Sequence, residues 1–177
     1  MIDEKNVFLV IIDFQERMLP HIRNGKKIVK NTVKLLRAAG IFGIPVIATK
    51  QVKLGETVEE IKRFISGEIE KNTFNCYGNK EFVERVKKME KKKCIIAGIE
   101  SHICVMQTAV DMLQHGYEVY VAMDCIGSRN EMDHEMAIER MIQEGAKAST
   151  AESIIYEIMK SSSHEKFKEI LKIVKEG

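Results

Sequence analysis

The sequence predicts an α/β protein, a three-layer α/β/α sandwich around a parallel sheet. Three observations carry that prediction. Short apolar runs alternate with helix-period segments along the whole chain, the pattern of strand–helix–strand units with right-handed crossovers. The apolar runs are continuous rather than alternating, as in strands covered on both faces. No linker, internal repeat or low-complexity tract breaks the pattern. The 177 residues fit one domain, 1–177, with a single well-covered core.

The elements follow in order. Val7–Ile12 is six apolar residues in a row and reads as the first buried strand. Over 26–39, Ile28, Thr32, Leu35, Leu36 and Ala39 recur at helical spacing, and Gly40 is the predicted stop. Residues 44–48 read as the second strand, and 51–69 as one long irregular stretch. Such stretches are functional or mobile. Phe82, Val86 and Met89 mark a helix, and residues 94–97 a strand. Met106, Ala109, Val110 and Leu113 mark the next helix, which Gly116 ends. Residues 117–123 are a strand, Asn130 caps a helix carrying Met132, Met136 and Met141, and 146–149 is a short strand. Ser149-Thr150-Ala151-Glu152 has the form of a capping box. Phe167, Ile170, Leu171 and Val174 give a last amphipathic helix.

Composition narrows the partners. The 28 Lys and Arg nearly balance the 26 Asp and Glu, so nothing points to a polyanion. Lys87, Lys88, Lys91, Lys92 and Lys93 are the one dense basic group. They close a helix, where cations suit the dipole, and a nucleic-acid surface needs a wider basic face. No apolar stretch is long enough to span a bilayer. The start, Met1-Ile2-Asp3-Glu4-Lys5-Asn6, does not read as a signal peptide. A cytoplasmic protein is expected, its Cys76, Cys94, Cys104 and Cys125 widely separated and reduced.

In an open parallel sheet, chemistry gathers beyond the carboxyl ends of the strands. Asp13, the run Thr49-Lys50-Gln51, Gly98 to Cys104, and Asp124, Cys125 and Ser128 fall there. Lys71 is expected on the connection entering the Phe82 helix. Cys104 stands out. It follows an apolar strand, a glycine and a polar turn, at or just inside the first turn of a helix. Free N–H groups there favour negative charge, so a thiol can hold a lowered pKa and act as a nucleophile. Asp13 can serve as its base, and a lysine can stabilise the thiolate. Lys50 and Lys80 compete with Lys71 for that last role.

The blocks Ile12-Asp13-Phe14-Gln15, Glu70-Lys71-Asn72-Thr73-Phe74 and Gly98-Ile99-Glu100-Ser101-His102-Ile103-Cys104-Val105, with Gly116-Tyr117-Glu118-Val119 and Asp124 after them, resemble the isochorismatase-like cysteine hydrolases. Order and spacing match over nearly the whole chain. Residues 51–61 are most similar to the branch of isochorismatase-domain-containing proteins. The resemblance implies a six-stranded parallel sheet flanked by helices and a catalytic triad of Asp13, Lys71 and Cys104. It implies an oxyanion hole from the N–H groups of Glu100 and Cys104, with a cis peptide between Ile99 and Glu100. It also implies homo-oligomers, dimers or higher, with sites near subunit interfaces. Met106, Met112, Met132, Met136 and Met141 exceed what a small core needs and point the same way.

The candidate pocket residues are Phe14, Gln51, Phe74, Cys76 and His102. Phe14 and Phe74, with Tyr77, are core by default, but as pocket walls they suit a planar or apolar group. His102 lies two residues from Cys104, and on an α-turn the pair would point about 200° apart, a poor dyad. No metal is expected. The nicotinamidase branch carries an Asp-x-His cluster after strand two, where this chain has Thr49-Lys50-Gln51-Val52-Lys53, and its five histidines are dispersed. No glycine-rich phosphate loop is present, and no cofactor is expected. The expected function is hydrolysis of a small amide, carbamoyl or ester substrate through a Cys104 thioester. The alternatives are the same triad acting on an ether bond, and a non-catalytic oligomeric scaffold.

Overall fold

A computed structural model describes residues 1–176. Six strands join one all-parallel sheet: β1 (Val7–Ile12), β2 (Val46–Gln51), β3 (Glu68–Lys71), β4 (Lys93–Ile99), β5 (Glu118–Gly127) and β6 (Lys147–Ser149). Their spatial order is β3-β2-β1-β4-β5-β6. Successive β1 side chains go to opposite faces. Val7, Leu9 and Ile11 enter one apolar cluster, and Phe8, Val10 and Ile12 the other. Helices α1 (Gly25–Phe42), α6 (Ala151–Met159) and α7 (Phe167–Lys175) cover the first face. Helices α3 (Lys80–Lys88), α4 (Met106–Gln114) and α5 (Glu131–Gln143) cover the second. The three-layer α/β/α sandwich is as expected.

Several boundaries differ, each for a local reason. Helix α1 runs through Gly40, because Phe42 still packs in the core. It stops at Gly43, whose φ of 71° is a conformation glycine adopts without penalty. The Ile44 N–H closes the turn on the Ala39 carbonyl at 2.9 Å. β2 starts at Val46 because Pro45 has no N–H for the ladder. It extends through Gln51, held by β1 and by β3. The stretch 51–69 is not wholly irregular: it holds the short helix α2 (Glu59–Lys62) and the start of the edge strand β3. β5 continues past Met123 to Gly127 after its register against β4 shifts. The α6 cap is Thr150, not Ser149: its hydroxyl accepts from Ser153 N–H.

Two features shape the sheet's carboxyl edge. Asp13 leaves β1 with φ 54°, a left-handed conformation that Asp tolerates better than most residues. Gly98 lies against the preceding residue, Ile12: a Cβ there would stand 2.5 Å from the Ile12 Cβ. Only glycine lets β4 approach β1 that closely.

Candidate active site

Three side chains far apart in sequence meet at this edge. Asp13 follows β1, Lys71 ends β3, and Cys104 sits in a five-residue π-turn, Ser101–Val105, between β4 and α4. Lys71 Nζ donates to Asp13 Oδ2 at 2.7 Å and reaches Cys104 Sγ at 3.6 Å. Asp13 and Lys71 are each 1% exposed and Cys104 6%. Lys71 is thus a strand residue rather than part of a connection. Its competitors point elsewhere: Lys50 pairs with Glu56 at 3.2 Å and Glu70 at 3.9 Å, and Lys80 opens α3.

Further groups fix the pair. Thr49 Oγ1 donates to Asp13 Oδ1 at 2.8 Å. Gln51 Oε1 accepts from Lys71 Nζ at 2.6 Å, while Gln51 Nε2 donates to the Asn72 carbonyl. The fully buried Gln15 locks Gln51 in place, accepting its N–H at 2.8 Å and donating to its carbonyl at 2.9 Å. The carbonyls of Thr73 and Phe74 complete the shell around the ammonium, at 3.2 and 3.3 Å.

Electrostatics overturn one expectation. Burial pushes the Cys104 thiol above its ordinary pKa, and the Asp13 carboxylate pushes it further, while Lys71 opposes both. The sulfur rests as a thiol, not as the thiolate expected of a helix N-terminus. Burial works against the charged form of Lys71, but the Asp13 carboxylate 2.7 Å away outweighs it and raises its pKa. Lys71 is therefore an ammonium.

The other candidates divide. The peptide between Ile99 and Glu100 is cis. Glu100 directly precedes the π-turn, and its carbonyl accepts from the N–H groups of Ile103 and Val105. Gln51 supports Lys71. Phe74 is 55% exposed, with its backbone at the ammonium. Phe14 packs in the α1-side cluster, on the sheet face opposite the Cys104 cluster. Cys76 is fully buried beside the Asp13–Lys71 pair, its Sγ 3.8 Å from Thr49 Oγ1 and its pKa pushed up to about 11 by burial. His102 bonds Ser128 Oγ at 2.9 Å through Nδ1. Asp124 and Cys125 lie inside β5, and the Asp124 carboxylate caps α6 through Ala151 N–H. Met112 and Met141 are core, whereas Met132 and Met136 are exposed.

Sequence reasoning passed over the support residues. Gln15 lies just past β1, and Thr49 and Ser128 lie at the carboxyl edge of the sheet, but no sequence pattern marks their partners. Arg129 and His134 gave no signal at all. Two cavities, of about 900 and 210 Å³, are lined by other residues than the triad. Among the described residues, no group of three or more His, Cys, Asp or Glu could hold a metal ion. No helix among them is long and apolar enough to cross a membrane.

A buried Asp–Lys–Cys cluster thus lies at the carboxyl edge of a parallel sheet in an α/β protein. A family model described as the isochorismatase domain matches residues 7–153. Isochorismatase domain-containing protein 2A of Mus musculus is 34% identical over 172 residues, covering 95% of this chain and 82% of the relative. The chain belongs to the isochorismatase family. Among solved structures, a MAR1 ribonuclease from Caenorhabditis elegans superposes with a TM-score of 0.92 at 33% identity, covering 98% of this chain and 91% of that one. The YcaC gene product of Escherichia coli, described as an octameric hydrolase of unknown specificity, gives 0.88 at 25% identity, with 99% and 96% covered.

Proposed function

We propose that the protein is a cysteine hydrolase acting on a small amide, carbamoyl or ester substrate, with a C–N bond as the preferred target. The observation that carries this reading is the convergence of Lys71 Nζ on Asp13 Oδ2 at 2.7 Å and on Cys104 Sγ at 3.6 Å. Asp13 takes the thiol proton as the sulfur attacks the carbonyl carbon. The sulfur pair forms the S–C bond, and the carbonyl π pair moves onto oxygen. The N–H groups of Glu100 and Cys104 hold that oxyanion. Collapse breaks the bond to the leaving group, which receives the proton from Asp13. Water, deprotonated by Asp13, then hydrolyses the thioester and restores the thiol. Lys71 stays an ammonium throughout, orienting the carboxylate and compensating the sulfur's charge.

The near-complete burial of the three groups suits a small substrate. The basic group Lys87 to Lys93 lies near the start of β4, the opposite end of the sheet from Cys104. The test is a panel of small amides, carbamoyl compounds and esters, read by ammonia or acid release, with a vinyl ether and an RNA oligomer included. Turnover of an amide that is lost in Cys104→Ala, with the fold retained, supports the reading. Substantial residual turnover in that variant sinks it. Cleavage of the RNA alone moves this chain to the class named for its C. elegans relative.

Assembly as a homo-oligomer belongs to the same reading. Exposed Met132, Met136 and Phe74 leave apolar surface to cover, and the E. coli relative is described as an octamer. A monomer by light scattering at micromolar concentration would count against it. Four free cysteines fit a reducing, cytoplasmic setting.

A further inference from the structure

The π-turn that carries Cys104 is tied to one corner of the fold by three side-chain links. Ser101 Oγ and His134 Nδ1 are 2.9 Å apart. His102 Nδ1 and Ser128 Oγ are also 2.9 Å apart. The third link is an ion pair. The Glu100 carboxylate, 3% exposed, accepts from Arg129 Nε at 3.1 and 3.2 Å and from the Arg129 N–H at 3.0 Å. Ser128 and Arg129 lie between β5 and α5, and His134 lies in the first turn of α5.

The ion pair raises a chemical problem that the hydrogen bonds do not. In the proposed reaction, Glu100 donates its own N–H to a developing oxyanion. The same residue carries a buried carboxylate. An uncompensated anion there would repel the charge that the hole must collect, and low-dielectric surroundings screen such repulsion weakly. Arg129 supplies the opposite charge, and its Nε and N–H fix the direction of the Glu100 side chain.

We infer that Arg129 is a positioning and charge-compensating residue for the oxyanion hole, acting through Glu100. The inference rests on the proposed cysteine chemistry and concerns only the step in which a substrate oxygen becomes negative. Removing Arg129 therefore slows acyl transfer to Cys104 and spares thiol reactions that build no oxyanion.

Two electrophilic probes separate these outcomes. p-Nitrophenyl acetate reacts through an oxyanion: the Cys104 S–C bond forms, the thiol proton goes to Asp13, and p-nitrophenolate leaves an acetyl thioester. Iodoacetamide alkylates by direct displacement of iodide, with no oxyanion. In Arg129→Met, acetylation of Cys104 is expected to fall about 100-fold, while alkylation stays within about twofold of the wild type. Arg129→Lys, which keeps the charge, recovers part of the loss. The double variant Glu100→Gln/Arg129→Met acetylates faster than Arg129→Met alone, because the unpaired anion is gone. Equal loss with both probes would mean a displaced thiol and would overturn the inference, as would a double variant no faster than the single. Failure of the wild type to acetylate at Cys104, seen by peptide mass, would instead sink the underlying cysteine chemistry.

Discussion

Replacing Lys71 by Met tests whether the centre of the site is a buried ion pair held by its surroundings. At 2.7 Å between Nζ and Oδ2, an effective dielectric of ~20 gives an attraction of about 6 kcal/mol. Desolvating the two ions takes back several kcal/mol of it. Lys71→Met removes the attraction and the lysine's own penalty, but leaves Asp13 buried with one hydroxyl partner, Thr49. Gln51 Oε1 loses its donor too. The expected loss of stability is about 3–5 kcal/mol, the range for breaking a buried pair from one side. For a chain of this length, that is a fall in melting temperature of about 6–20 °C. Urea unfolding measures it as a shift in midpoint at constant slope. The double variant Asp13→Asn/Lys71→Met should regain part of the loss, since no charge is left in the site. A loss below about 1 kcal/mol in Lys71→Met would refute the reasoning. So would a double variant no more stable than the single, which would make the cost one of shape rather than charge.

Asp13→Asn removes the anion that pushes the Cys104 thiol up and leaves Lys71 beside it. The thiol should then ionise at lower pH than in the wild type, so iodoacetamide alkylation at pH 8 rises while substrate turnover falls with the loss of the base. Turnover unchanged in Asp13→Asn would remove Asp13 from the mechanism. Glu118, at the start of β5, is held down to a pKa of about 2, first by the Lys147 ammonium and then by the Tyr120 hydroxyl and Lys93. A carboxylate depressed from 4.5 stabilises the fold above that pH and ceases to as pH falls towards 2. With the side chain 32% exposed, solvent screening cuts its worth to about 1 kcal/mol. Glu118→Gln should be less stable than the wild type by that amount at pH 7 and lose the difference on acidification below pH 4.5, as read by urea midpoints.

The residues that defined the layers were legible because burial selects for them directly. β1 was read to the residue: six apolar side chains lie between the polar Asn6 and Asp13. β3 was not, because an edge strand needs little apolar content. Ile69 is its one apolar residue, flanked by Glu68 and Glu70. Missing β3 left the lysine undecided on residue chemistry alone, and the family resemblance had to choose it. The register decides it physically. Lys50 lies opposite Glu70, and Gln51 opposite Lys71. Strand side chains alternate, so Gln51 and Lys71 turn into the protein together while Lys50 and Glu70 turn out. The support around the triad was illegible for a different reason. Gln15, Thr49 and Arg129 act through long-range hydrogen bonds, and one polar residue at or beyond the end of a strand carries no periodicity to reveal its partner.

The raised thiol and the nucleophilic role proposed for Cys104 are compatible, and the reason bears on how such a site would work. Ionising Cys104 into water would place a second anion beside Asp13 in a buried site, and burial and Asp13 both resist that. Passing the same proton to Asp13 creates no second anion. The negative charge moves from a carboxylate 2.7 Å from Lys71 Nζ to a sulfur 3.6 Å from it, so the ammonium keeps its partner throughout. Attack then carries that charge onto the substrate oxygen, away from Lys71 and towards the backbone N–H groups of the turn. The total charge of the site is constant at each step, which is what a low-dielectric enclosure requires. The thiol can therefore stay protonated, and slow towards stray electrophiles, until a carbonyl is present to accept the charge.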